Sequence, residues 1–183
     1  MGGRTPGSLE RARMRRAIRV VLLWALVSPV AAQVASPQRQ ADVATRGADV
    51  MPFSLEATTH VFTKTADGGT QRVVAKHGAD ARQVELVREH LRDIRREFST
   101  GDFSGPSYIH GKDMPGLAAL AAAKPGQIAI AYRDVAGGAE LRFRTGDPTL
   151  VAALHEWFDA QLSDHGADAM AGHHHGPGMS PKR

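Results

Sequence analysis

The sequence predicts an α+β protein: a four-stranded antiparallel sheet with two long helices on one face, built from a duplicated ββα unit. Three observations point there. Two stretches alternate apolar and polar residues around Gly-Gly turns, the period of a half-buried strand. Each is followed by about twenty residues whose apolar positions recur at three and four, the period of a helix. The two halves also align weakly. Gly68-Gly69 matches Gly137-Gly138, Gly78 matches Gly146, and Asp80, Val84, Val87 and Leu91 fall on Asp147, Val151, Leu154 and Phe158 with one residue inserted.

The first hairpin is "TTHVFTKTADGGTQRVVAK", Thr58–Lys76. β-branched and aromatic residues flank Asp67-Gly68-Gly69, and Asp-Gly is a strong tight-turn signal. The first long helix is expected over Gly78–Phe98, with Val84, Val87, Leu91, Ile94 and Phe98 as its buried stripe. Asp80 can accept the free N–H groups of its first turn, and Gly101 can end it. Ser99–Asp113 reads as a Gly-, Ser- and Pro-rich loop, and "MPGLAALAAA" as a short helix. The second hairpin spans Gly126–Asp147 around "AGG". The last helix is expected over Asp147–Gly166: Asp147 caps it, Pro148 takes its first position, and Leu150, Val151, Leu154, Phe158 and Leu162 face inward.

The ends carry different signals. "RARMRRAIR" followed by "VVLLWALVSPV" and small residues at Val30 and Ala32 predicts a signal peptide over 1–32, cleaved after Ala32 for Sec export to the periplasm or medium. The apolar run is shorter than the roughly 20 residues a bilayer requires, so no stable membrane anchor is expected after cleavage. Residues 33–50 read as a flexible lead-in, 51–166 as one domain, and 167–183 as a disordered tail.

The leader also decides the charge argument. The chain has 23 basic and 19 acidic residues. Residues 1–32 hold six Arg and one Glu, leaving 17 basic against 18 acidic. The basic pI of 9.8 therefore belongs to the leader, and no nucleic-acid partner is expected. No Cys is present, so disulfides, thiolate ligands and thiol nucleophiles are excluded.

All nine His lie after the leader. His173, His174 and His175 are consecutive in the tail, and imidazole suits Cu(II), Ni(II) and Zn(II). His110, Asp113 and Met114 in "YIHGKDMPGLAAL" could meet one cation, with the thioether favouring copper. A simpler reading makes Asp113 a helix cap, with Pro115 in the first turn and Met114 packed down. His90 and His155 fall at the flanks of their helix stripes. His60 points to the sheet interior or a cleft, and His165 sits favourably at a helix C-terminus. There is no Gly-x-Ser-x-Gly, P-loop, dinucleotide fingerprint or His-Glu-x-x-His, so no catalytic residue is assigned.

"DVMPFSLEATTHVFTKTADGGTQRVVAK", "IHGKDMPGLAAL" and "LVAALHEWFDAQLSDHG" together resemble a family of small exported proteobacterial proteins of uncharacterised function. The likeness covers most of Ala41–His175. Some members carry the label aspartate carbamoyltransferase, which implies a Ser-Thr-Arg-Thr phosphate loop at a helix start. The nearest string here is "FSTGDF", where Gly101 follows Ser99-Thr100. The expectations are thus an exported protein binding or buffering a transition metal through His, a non-catalytic module for a protein or small ligand, or a carbamoyltransferase-labelled protein lacking that loop.

Overall fold

A computed structural model describes residues 2–3 and 34–173. The predicted leader, and His174 and His175 of the tail, lie outside the described residues. The helices are α1 (Pro37–Val50), α2 (Ala81–Ser99), α3 (Ser104–His110), α4 (Leu117–Ala122) and α5 (Pro148–His165). The strands are β1 (Thr58–Thr65), β2 (Gly68–Ala75), β3 (Ala129–Val135), β4 (Gly138–Arg144) and β5 (Ala169–Ala171). Among the described residues no helix is long and apolar enough to cross a membrane.

The strands form one mixed sheet in the order β3-β4-β2-β1-β5. The two hairpins join through an antiparallel β2–β4 pairing that sets Gln71 opposite Leu141 and Val73 opposite Ala139. β5 is the departure from the expected four antiparallel strands: it runs parallel to β1, with His60 opposite Ala169. The predicted tail therefore begins as a 3-10 turn and an edge strand. Three residues are too few for a periodicity signal, and β5 is held by its ladder to β1 rather than by an apolar pattern of its own.

One sheet face is covered by α2 and α5. Phe62, Val73, Leu141 and Phe143 point into it and are buried with Val87, Leu91, Phe98, Leu154, Trp157 and Phe158. Trp157 stands edge-on to Phe98, Phe103 and Phe143, a favourable aromatic geometry. The caps fall where the residue types place them. Asp80 Oδ1 accepts from Gln83 N at 3.1 Å, and Asp147 Oδ1 accepts from Thr149 N at 2.8 Å. His155 serves the first turn, its Nε2 lying 3.1 Å from Thr65 O and 2.9 Å from Gly68 O.

Two segments read as irregular are helical. The lead-in contains α1, capped by Ser36 and started by Pro37. Only Val43 and Gly47 of α1 are buried, so its apolar pattern is too thin to be seen in sequence. Polar anchors hold it instead: Arg39 to Asp164 and to His110 O, Arg46 to Ile109 O, and Gln40 to Ser163 O. The loop before His110 contains α3, whose first N–H, that of Ser104, is taken by Asp102 Oδ1 at 2.9 Å. α4 is entered through Gly116 in the left-handed region, with no side-chain cap.

Candidate functional site

Four imidazoles from four elements meet at one cavity. His60 comes from β1, His90 from α2, His110 from the end of α3 and His165 from the end of α5. The cavity encloses about 60 Å³. Its apolar wall includes Met51, Leu91, Ile94 and Ile109, and its polar wall adds Gln71, Glu97, Trp157 and Gln161. The helical period explains the convergence. Trp157, Gln161 and His165 lie four residues apart on one face of α5, as His90, Ile94 and Glu97 do at four and three on α2.

The rings are close. His60 and His165 have centres 4.9 Å apart and nearly parallel planes, 7° between them. His110 stands edge-on to His165 at 5.2 Å. Phe53 packs against two of them, its ring centre 5.9 Å from that of His60 and 5.5 Å from that of His90. His165 Nε2 lies 3.1 Å from Gln161 Oε1, which as a carbonyl oxygen can only accept, so this nitrogen carries the proton.

His110 and Asp164 form a buried pair, Nδ1 to Oδ2 at 2.8 Å, the residues being 3 % and 6 % exposed. Arg39 grips the same carboxylate with both oxygens, Nε to Oδ1 at 2.9 Å and NH2 to Oδ2 at 2.7 Å. Burial pushes the Asp164 carboxyl up. The hydrogen bonds from His110 and Arg39, with their charges, outweigh it and hold the group well below the usual carboxylate range. An ionised Asp164 accepts a hydrogen bond from His110 Nδ1–H, which fixes the ring and leaves Nε2 as the nitrogen not engaged by the carboxylate.

The other three imidazoles are disfavoured as cations. Burial, then the nearby His165, His90 and His110, pushes His60 well below its ordinary value. Burial lowers His90 to about 4, against a weaker pull from Asp93. His165 is also lowered to about 4, by burial first and then by His110. At neutral pH these rings are uncharged donors and acceptors.

Three buried side-chain atoms among the described residues make no hydrogen bond: His60 Nδ1, Gln71 Oε1 and Trp157 Nε1. All three belong to residues lining this cavity. Each such atom costs about 1–3 kcal/mol when left unpaired in a protein interior, so ordered water or another polar partner in the cavity would offset a cost the protein alone leaves standing.

The residues singled out from the sequence divide. His110 reaches the cavity, and His60, His90 and His165 join it. Asp113 is exposed, while Met114 is 4 % exposed and packed in the core. The carboxylate beside His110 is instead Asp164, fifty-four residues away in the chain. His173 is exposed beyond β5. Among the described residues no group of three or more His, Asp or Glu side chains is arranged to hold a metal ion. Ser99 and Thr100 end α2, so the "FSTGDF" string sits at the carbonyl end of a helix rather than the N–H end that suits a phosphate.

Asp164→Asn tests the pair. It removes the charge that both His110 and Arg39 address, and urea unfolding at pH 7 should show a loss of about 2 kcal/mol. An unchanged midpoint would mean that the partly exposed Arg39 and solvent compensate fully.

No known family model matches the sequence, and neither a curated protein nor a solved structure matches it.

Proposed function

We propose that the protein is a non-catalytic binding protein for a ligand of only a few atoms, held in the cavity between α2, α3, α5 and the β1–β2 hairpin. The observation that carries this reading is the set of three unpaired buried atoms on residues that line one cavity: one acceptor from Gln71, one donor from Trp157 and one imidazole nitrogen from His60. A ligand that both gives and takes hydrogen bonds, or one that takes a lone pair, removes the cost of leaving them unpaired. Size narrows the choice. A cavity of roughly 150 Å³ accommodates benzene, and drug-sized ligands occupy roughly 300–1,000 Å³. The 60 Å³ here suits an ion or a molecule of a few atoms.

The wider setting is read from sequence. The Arg-rich leader, the apolar run after it and the small residues before Gln33 support export to the periplasm or medium. The two hairpin–helix runs support a duplicated ββα unit. His110 lies on α3, between those two runs, and the anchoring Arg39 lies on α1, before both. The pocket therefore does not repeat with the unit. A second contribution comes from the tail: His173, His174 and His175 can chelate a metal loosely, as adjacent imidazoles do.

The test is a thermal-shift screen of the full chain against divalent metal ions, small anions, urea and short amides, beside Gln71→Met. A ligand of this pocket at about 100 times its Kd adds about 2.7 kcal/mol, a rise of several degrees in Tm. It should lose most of that effect in Gln71→Met. No shift from any class, or equal shifts in both proteins, would leave ordered water as the occupant of the cavity.

A further inference from the structure

We infer that the sheet face turned away from the helices docks an extended acidic segment of a partner protein, with Arg142 and Arg144 of β4 as its anchors. This surface is separate from the histidine cavity and does not depend on that pocket.

The face is open. α2 and α5 pack on one side of the sheet, α1 and α4 pack on α5, and α3 packs on α1. The other side carries no helix among the described residues. Strand alternation sets what it presents. Ala139, Leu141 and Phe143 of β4 point into the core, so Glu140, Arg142 and Arg144 point out. The register continues these positions as rows across the sheet. Met170, Val61, Arg72, Glu140 and Arg133 form one row from β5 to β3. Thr70, Arg142 and Ala131 lie in the next, and Gly68, Arg144 and Ala129 in the third.

Charge is the first argument. The outward strand positions hold four arginines and no lysine. Two carboxylates stand against them. Glu140, buried beneath its partners, accepts from Arg72 at 2.8 and 3.0 Å and from Arg133 at 2.7 Å. Asp67, in the turn, accepts from Arg144 Nε at 2.7 Å and lies 4.0 Å from Arg142, beyond hydrogen-bond reach. Each cluster therefore keeps one positive charge in excess. The half-exposed Arg142 guanidinium makes no hydrogen bond among the described residues. Its planar fork of donors matches a carboxylate, and Glu140 shows that chemistry already in use on this face.

Spacing is the second argument. Arg142 and Arg144 are two residues apart on one strand, about 6.6 Å along β4. Carboxylates at alternate positions of an extended partner repeat at the same distance. The neighbours in both rows are small, so a chain laid along β4 reaches both guanidiniums without meeting a bulky side chain. A surface cleft of about 470 Å³, bordered by Gly126, Ala129, Arg144 and Gly146, extends this bed at the Arg144 end.

The chemistry of the face selects the occupant. A second copy stacked on it would set arginines against arginines, and like charges across an interface are costly. No aromatic ring stands at an outward strand position to stack a nucleobase. The exposed Met170 and the half-buried Val61 and Val74 add apolar contact beside the arginines, the mixture in which protein interfaces are enriched.

The experiment follows the fluorescence anisotropy of a short labelled peptide that alternates Glu and Thr, titrated with the full chain. Saturable binding is expected at about 0.1 M salt, with loss at about 1 M, where the Debye length falls from about 10 Å to about 3 Å. The same peptide with Gln in place of Glu should not bind. Arg142→Gln and Arg144→Gln should each weaken binding about 10-fold. Both side chains are exposed, so neither change disturbs the core. Arg82→Gln, on α2 across the sheet, should leave binding unchanged. No saturable binding at the lower salt overturns the inference. Equal binding by the double Arg142→Gln, Arg144→Gln variant overturns it too. Phosphatidylglycerol vesicles that bind through these arginines while the peptide does not would make a lipid surface the occupant and overturn the acidic segment.

Discussion

Lowering the pH from 7 to 4.5 should cost the protein several kcal/mol of stability, most of it lost before any carboxylate of ordinary strength titrates. The cause is the imidazole cluster. His90 and His165 are each lowered to about 4, and His60 is lowered well below its ordinary value, against about 6.5 in the unfolded chain. Between those values the unfolded state binds more protons than the folded one, so stability rises with pH and falls on acidification. The stabilisation is complete above about pH 6.5 and drains away as the pH drops toward the folded values. Each group adds a slope of up to about 1.4 kcal/mol per pH unit, and three together up to about 4. A domain of this size has only about 5–15 kcal/mol to lose. Asp164 acts in the same sense but in a lower window. It is held below the usual range, so its contribution is full above about pH 4 and lost beneath that. Urea unfolding at half-unit steps from pH 7.5 to 4 measures the slope. His90→Asn should reduce it by close to one proton. A flat profile from pH 7 to 4.5 would mean that the imidazoles take up protons without opening the fold.

How far the fold could be read depended on whether an element buries a repeating face. α2 and α5 do, so their stripes, caps and ends were legible, and Gly-Gly turns marked both hairpins. α1 was not, because Val43 and Gly47 are its only buried residues and its hold on the domain comes from Arg39 and Arg46 reaching polar partners. β5 was not, because a three-residue strand is fixed by its neighbour. The site follows the same logic. His60 was legible as an inward strand position. Each remaining ring carries a local explanation that is adequate until the chain folds: a helix flank for His90, a loop for His110, a helix end for His165. The one signal that was available is the four-residue spacing of Trp157, Gln161 and His165 along α5, an aromatic, an amide and an imidazole on one helical face beside an apolar stripe. Asp113 was set beside His110 for a reason of proximity in sequence, whereas the carboxylate hydrogen-bonded to His110 comes from α5. Pairings across fifty-four residues leave no trace in composition or spacing.

The segment between α3 and α4 supplies the second large effect, and it separates two glycines that look alike in sequence. Gly111 and Gly116 flank "KDMP", and both have positive φ, 89° and 76°. Gly111 stands in open space, with nothing within 4 Å of a Cβ built on it. Gly116 lies against the backbone of α5. A Cβ there would meet the Ala153 carbonyl oxygen closer than the 3.0 Å that real Cβ atoms keep, with Trp157 N beside it. A helix backbone cannot retreat as a flexible side chain can. Gly111→Ala should therefore cost only the conformational strain, about 1–3 kcal/mol. Gly116→Ala adds a clash that pushes α4 off α5, and should cost about 4 kcal/mol or more. The damage reaches the cavity, since Trp157 lines it and Met114, Leu117 and Leu120 pack in the same core. Paired urea titrations of the two variants give the comparison. A Gly116→Ala protein no weaker than Gly111→Ala would mean that α4 can lift from α5 freely. The close approach at Gly116 would then contribute nothing to holding the Trp157 wall of the pocket in place.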